Sequence, residues 1–355
     1  ENQDSNSVRE DDAIGNAVYM IDATTGERLW WSSNTGSDLD ITDMRNSIPA
    51  DITPVDINGD DHVDYFFVAD TGGRVFRFDI RPGNSGASNF AEGGVIANLA
   101  GDDIANNRRF YNQPNVSLVK DKENGDYLTI AIGSGHRAHP LLTTEVINRF
   151  YLIKDHSPYA APSSYIVKTE APTAKITLAN GENADNTKLY NATSMMTDGD
   201  DAKSTSLTQL LINGGGWYVV LPNSAEKVLS RSTTFAGAVI FTTFSPSSGV
   251  QSGCGADTGA SRVYALDQKW ATAAIDLNGD GVTDDSDTST VLAHSGIAPR
   301  PVIIYRKDGG KTIAVGTENI DDNRFQEEGS DSNCENSGTC VQMCEGDNCY
   351  LNPQY

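Results

Sequence analysis

Apolar residues in this chain come in short bursts, without the long 3.6-residue stripes that mark amphipathic helices. Four bursts share a signature: Val18-Tyr19-Met20-Ile21-Asp22, Val75-Phe76-Arg77-Phe78-Asp79, Phe150-Tyr151-Leu152-Ile153 and Val263-Tyr264-Ala265-Leu266-Asp267. β-Branched and aromatic residues crowd these runs and turn-forming residues follow them, which predicts strands ending at turns. Further strands are expected at residues 65–68, 127–132, 217–221, 236–244 and 302–305. The aromatic positions Tyr19, Phe76, Tyr151 and Tyr264 lie 57, 75 and 113 residues apart, and the strand at 217–221 divides the last gap. Irregular spacing around a repeated strand unit predicts propeller blades of about 40 to 50 residues with unequal loop insertions. Residues 157–206, richer in Ala, Asn, Thr, Asp and Pro, read as a long insertion or a ragged blade. The expected division is an N-terminal tail at 1–12, the propeller with its acidic loops at 13–319, and a Cys-rich tail at 320–355.

Charge narrows the choice of partners. With 49 acidic and 26 basic side chains the net charge is −23, so nucleic acid and anionic membrane surfaces would be repelled. Such an excess suits cation binding. No run of 18 apolar residues appears, so no membrane-inserted helix is expected. The chain begins at Glu1 without a basic and apolar leader, read as an export signal removed or as a fragment of a longer chain. Four of the five cysteines, Cys334, Cys340, Cys344 and Cys349, crowd into the polar tail, and Cys254 stands apart. Disulfides formed outside the cytoplasm are the expected reason, because that tail has too little apolar residue to fold by burial. Zinc is the rival, weakened by the lack of a C-x-x-C pair or a tail histidine.

Two acidic loops carry the candidate chemistry. In Asp56-Ile57-Asn58-Gly59-Asp60-Asp61-His62-Val63-Asp64 the oxygen-bearing side chains fall at positions one, three, five and nine. A calcium ion takes 6 to 8 oxygen ligands, and a curled loop offers alternate side chains with a backbone carbonyl at position seven. The expected ligands are therefore Asp56, Asn58, Asp60, Asp64 and the carbonyl of His62, whose imidazole is expected to face solvent. Gly59 relieves the turn, and Ile57 and Val63 are expected to anchor the loop on the core. The loop departs from an EF-hand, with Asp61 in place of Gly at position six and Phe67 at position twelve. A polar hairpin turn is the alternative, but so many carboxylates in nine residues would repel one another without a cation.

The second loop runs Asp276-Leu277-Asn278-Gly279-Asp280-Gly281-Val282-Thr283-Asp284-Asp285-Ser286-Asp287 and fits the twelve-residue pattern better. Its expected ligands are Asp276, Asn278, Asp280, the Val282 carbonyl, Asp284 and Asp287. Asp198-Gly199-Asp200-Asp201 lacks a later ligand and reads as a turn. His136, Arg137 and His139 cluster near Gly133 and Gly135, but no activated Ser or Cys with a neighbouring base can be named, so a structural connector is favoured over a hydrolase.

These residues resemble the C-terminal domain of the PilC/PilY proteins of type IV pilus biogenesis. The resemblance is carried by Asn16 to Gly26, by the loop at 56–64 with Tyr65, Asp70, Gly72, Gly73 and Val75 to Asp79, and by Ile132-Gly133-Ser134-Gly135-His136-Arg137-Ala138-His139-Pro140. Asn148 to Tyr151, Gly216-Trp217-Tyr218, Glu226-Lys227-Val228 and Phe241 to Phe244 with Pro246 also match. It implies an all-β fold, a modified seven-bladed β-propeller with irregular blades and loop insertions, and a calcium site that tunes pilus extension against retraction. It further implies an extracellular place at the pilus tip after export through the periplasm, with minor pilins or other pilus subunits and host or abiotic surfaces as partners. No Arg-Gly-Asp tripeptide is present. A quinoprotein dehydrogenase is the rival, since Val18 to Trp30 also resembles the blade repeat of that class, but in one copy. The reading is therefore of a non-enzymatic, calcium-binding module, with a purely structural tip cap as the further alternative.

Overall fold

In the computed structural model, which describes residues 9–81, 89–122, 125–142, 146–171, 185–197, 214–246, 259–305, 311–320, 342–345 and 348–351, the apolar bursts pair with their chain neighbours. Strands β1 (Val18–Ile21), β2 (Arg28–Ser33) and β3 (Leu39–Asp40) form the first sheet, and β4 (Thr53–Val55), β5 (Tyr65–Ala69), β6 (Arg74–Ile80) and β7 (Ala91–Asn98) form the second. The third takes β8 (Asn115–Val119), β9 (Tyr127–Gly133), β10 (Arg149–Asp155), β11 (Thr169–Glu170), β12 (Lys188–Asn191) and β13 (Gly216–Val220), in the spatial order β8-β9-β10-β13-β12-β11. β14 (Thr233–Phe235), β15 (Ala238–Ser245), β16 (Ala260–Asp267) and β17 (Ser289–Val291) form the fourth, and β18 (Val302–Tyr305), β19 (Lys311–Val315) and β20 (Glu318–Ile320) the fifth. A hairpin of β21 (Gln342–Glu345) and β22 (Asn348–Leu351) follows. All four signature bursts fall on strands, and β6, β10 and β16 are each the third strand of their sheet in chain order.

The count of seven blades is not what the described residues show. They form five sheets and a hairpin, and no sheet closes on itself. Dividing the chain by an average blade length fails because the third sheet alone draws strands from Asn115 to Val220. Described parts of the 157–206 stretch enter that sheet: β12 pairs in parallel with β13, Tyr190 opposite Trp217, and carries β11 at its edge. The described residues ahead of β1 also make contacts. Asp12 is buried, and Arg9 pairs with Asp102 at 2.9 Å and donates to Asn98 Oδ1 at 3.1 Å, so residues 9–12 dock on the second sheet and its following turn.

Successive residues of a strand point to opposite faces, and here both faces are covered. Phe66 packs with Val18, Trp30 and Phe78 between the first and second sheets. Its neighbour Phe67 packs with Ile130, Ile132, Tyr151 and Tyr218 between the second and third. Phe150 meets Phe241 in a stack 3.8 Å apart between the third and fourth sheets, and Ala265 meets Ile313 between the fourth and fifth. The sheets are therefore layered in chain order, and each fully buried aromatic side chain is worth about 1.5–3 kcal/mol of transfer free energy. A buried ionic group also crosses one interface: Arg77, fully buried, binds Asp79 at 2.6 Å and Asp155 of the next sheet at 2.8 Å.

The first strands of the later sheets meet along one side of this stack. Thr53 Oγ1 donates to the Pro114 carbonyl at 2.5 Å, Thr234 Oγ1 to Asn115 Oδ1 at 2.6 Å, and Thr233 Oγ1 to the Pro301 carbonyl at 2.6 Å. These bonds tie β4 to the lead-in of β8, β8 to β14, and β14 to the lead-in of β18. Among the described residues no helix is long and apolar enough to cross a membrane. The backbone register of the final hairpin sets Cys344 opposite Cys349, while Cys254, Cys334 and Cys340 lie outside the described residues.

Candidate calcium loops

The loop at 56–64 closes a hairpin. Val55 of β4 pairs with Tyr65 of β5, and the Asp64 amide donates to the Val55 carbonyl at 2.9 Å, so the acidic residues bulge from the end of a fixed ladder. Within it, short side-chain acceptors gather backbone amides, the usual behaviour of Asp and Asn in turns. Asp56 Oδ1 accepts from Gly59 N at 2.7 Å, and its Oδ2 from Asp61 N at 2.9 Å. Asn58 Oδ1 accepts from Asp60 N at 2.9 Å and Asp60 Oδ1 from His62 N at 3.0 Å. Asp64 Oδ2 reaches back to Ile57 N at 2.8 Å and closes the ring. Partial desolvation works against the Asp56 charge, but the amides of Gly59, Asp61, Asp60 and Asn58 outweigh it and hold the carboxyl below its ordinary range.

The second loop, on the fourth sheet, repeats the pattern. Asp276 accepts from Gly279 N at 2.6 Å and Gly281 N at 2.8 Å, Asn278 Oδ1 from Asp280 N at 2.8 Å, and Asp280 Oδ1 from Val282 N at 2.8 Å. Asp287 Oδ1 takes Leu277 N at 2.9 Å, the same second-position amide that Asp64 takes in the first loop. Asp287, at position twelve, is thus the geometric counterpart of Asp64 at position nine. Asp284 instead caps the short 3-10 turn Asp285–Asp287, its Oδ1 accepting from Ser286 N at 2.8 Å and Ser286 Oγ at 2.7 Å. Those bonds, led by the Ser286 hydroxyl, hold its carboxyl below the ordinary range. The loop leaves and returns at one residue of β16: Ala274 N donates to the Ala265 carbonyl, and Ala265 N to the Thr288 carbonyl.

Other expectations for these loops divide. The His62 side chain is 86% exposed, as its solvent-facing role requires, and its Nδ1 lies 2.9 Å from the Asp60 carbonyl oxygen. That bond and the Asp60 charge push its pKa up. Ile57 packs against the core between the second and third sheets, and Leu277 takes the same role in the second loop. Val63 does not anchor anything: it is 39% exposed, because the hairpin turns its face outward just before β5. One feature escaped the sequence pattern. Asp61 has φ 65°, and Gly281, at the same sixth position, has φ 90°. The departure from glycine is therefore in residue type and not in backbone shape.

The donors fit a hard divalent cation in kind. Every side chain named is an oxygen donor, and a carboxylate oxygen that accepts one amide keeps a second lone pair. Among the described residues no three His, Cys, Asp or Glu side chains converge in a metal-holding arrangement, since the carboxylates are engaged with amides around each loop. The third acidic stretch, residues 198–201, lies outside the described residues.

The histidine cluster is a packing centre. His136 is buried, 2.7 Å from Arg109 Nη1, stacked on Tyr111 at 5.6 Å and edge-on to His139 at 4.7 Å. Gly133 is required by contact, since a Cβ there would lie 2.3 Å from Val228. Beside Val228, Glu226 is buried and accepts from Thr243 Oγ1 at 2.5 Å and Tyr264 OH at 2.9 Å, fastening the 226–228 segment to β15 and β16.

No family model and no curated protein sequence matches the chain. Among solved structures it is similar to the crystal structure of the Pseudomonas aeruginosa PilY1 C-terminal domain, with 17% identity and a TM-score of 0.54. The likeness covers 86% of this chain and 66% of that one, a little under two thirds of its length. At that identity the likeness is one of fold: this all-β chain shares its architecture with the PilY1 C-terminal domain.

Proposed function

We propose that this chain is a calcium-binding, non-enzymatic domain of a type IV pilus-associated protein. The observation that carries the reading is the hairpin loop at 56–64, with its oxygens set by backbone amides, on a fold shared with the PilY1 C-terminal domain. In this reading the stacked sheets are blades of a modified propeller. Asp56, Asn58, Asp60, Asp64 and the His62 carbonyl hold one ion, and Asp276, Asn278, Asp280, the Val282 carbonyl, Asp284 and Asp287 hold another. The domain works outside the cell at the pilus tip, against minor pilins or other pilus subunits and the surfaces the pilus meets. Calcium supplies the positive charge that lets the loop carboxylates stay close. Without it their repulsion loosens the β4–β5 hairpin and shifts any docking equilibrium coupled to it.

Calorimetry tests the sites and cells test the role. The chain should bind two calcium ions, Asp64→Ala should remove one of them, and Asp287→Ala the other. Unchanged stoichiometry and affinity in both variants would refute the assignment. In cells carrying the full-length protein, Asp56→Ala should alter surface pilus number while export stays intact. Normal piliation, with calcium binding shown to be lost in the purified variant, would reduce the ion to a structural staple.

A further inference from the structure

The lead-in segments of four sheets converge on a pocket of about 580 Å3 that lies apart from both acidic loops. Pro49–Asp51 precedes β4, Tyr111–Gln113 precedes β8, Leu229–Arg231 precedes β14 and Ile297–Arg300 precedes β18, and Arg137 enters from the turn after β9. The charge here runs against that of the whole chain. Where acidic residues outnumber basic ones 49 to 26, this pocket gathers Arg137, Arg231 and Arg300 against the single carboxylate of Asp51.

None of the three guanidinium groups forms an ion pair among the described residues. Arg231 Nη1 donates to the amide oxygen of Gln113, and Arg137 Nη1 to the Leu229 carbonyl, so neutral acceptors orient two of the forks. Burial, and then the charge of Arg300, lower the Arg231 pKa, and the Asp51 carboxylate opposes them only in part. A planar guanidinium fork matches a carboxylate through two parallel N–H···O bonds, and the half-buried setting of the Arg231 fork strengthens that preference. Leu229, Ile297, Pro299 and the Tyr111 ring complete the lining with apolar surface. The volume is that of a site for a ligand well beyond a single small ion.

We propose that this pocket binds a carboxylate-bearing ligand, the acidic segment of a peptide, with Arg231 and Arg300 as the carboxylate receptors and Arg137 at the rim. The inference does not depend on the calcium reading or on association with a pilus. It is tested on the full chain with three probes: an N-acetylated, C-amidated hexapeptide carrying two glutamates among leucine and alanine, the same peptide with glutamines, and glutarate. The glutamate peptide should bind saturably, weaken as NaCl is raised, and bind at least about tenfold more tightly than the glutamine peptide. Arg300→Ala, at an exposed position, and Arg231→Lys, which keeps charge but loses the fork, should each weaken binding several-fold while the melting temperature stays unchanged. Glutarate binding in the absence of peptide binding would support the carboxylate site and assign its source to a small diacid. Equal affinity for the two peptides, no saturable binding of any probe, or affinity indifferent to both variants would overturn the proposal.

Discussion

Asp61 shows how one residue can carry a conformation its type disfavours. Left-handed backbone crowds a Cβ against the neighbouring peptide, and Asp tolerates it better than most residues only because its short side chain bonds locally. The second loop places Gly281 at the same position and avoids the strain. Asp61→Gly relieves about 1–2 kcal/mol of left-handed strain and, after the entropy that glycine adds to the unfolded chain, should raise stability by about 0.5–1 kcal/mol net in chemical denaturation. The removed charge should also leave calcium binding in the first loop intact. A variant that lost calcium affinity would mean that the Asp61 carboxylate, and not only its amide, serves the ion. The equivalence of Asp64 and Asp287 is likewise a residue-scale result. Their spacing from the first ligand differs by three, yet both return to the second-position amide.

At the scale of elements, the segment 226–228 joins sheets through groups that sequence alone reads as surface polar. Glu226 is satisfied by three side chains and a backbone amide, whereas its neighbour Lys227, fully buried, donates among the described residues only to the Leu142 and Ala225 carbonyls at 2.7 and 2.8 Å. Burial pushes its pKa down from 10.5 to about 8. A depressed lysine pKa means that the folded state disfavours the charged form. The contribution of Lys227 is therefore most favourable above pH 10.5 and is lost as pH falls through about 8. Raising the pH from about 8 to 10.5 should stabilise the wild type relative to Lys227→Met, and the two stability curves should run parallel below that window. Lys154 is also lowered to about 8 by burial, and it is present in both proteins, so the difference isolates Lys227. A constant difference across the window would show that the ammonium is solvated on opening of the segment.

The whole molecule is a stack of sheets whose cores alternate with the strand period, so disturbance of one hairpin reaches two interfaces. Ile57 links the first acidic loop to the core between the second and third sheets, and Leu277 links the second loop to the core between the fourth and fifth. Ion binding at both should be felt as global stability. At free calcium about 100 times Kd, each site that binds only the native state adds ~2.7 kcal/mol, a rise in melting temperature on the order of 5 °C. Calorimetric melting with calcium and then with chelator checks this, and indifference to the chelator would separate the loops from folding.

How much of this was legible in the chain depends on range. Strands β1, β5, β6, β9, β10, β13, β15, β16 and β18 were readable because β-branched and aromatic runs bounded by turn residues are local signals. The acidic loops were readable for the same reason, since every proposed donor of a loop lies within twelve residues. Sheet membership was not local: β13 joins β10 across an insertion that supplies β11 and β12, so an average blade length miscounts the sheets. The burial of Phe66 and Phe67 against different neighbours, and the charge balance of Arg77 with Asp155, exist only once layers stack. The arginine pocket is the plainest case, for Asp51, Gln113, Arg231 and Arg300 are scattered along the sequence, each unremarked beside an ordinary strand. By itself the chain determined which segments form strands and which turns gather oxygen. Only the packing of one sheet on the next, driven by burying both faces of each middle sheet, decided which distant side chains share a site.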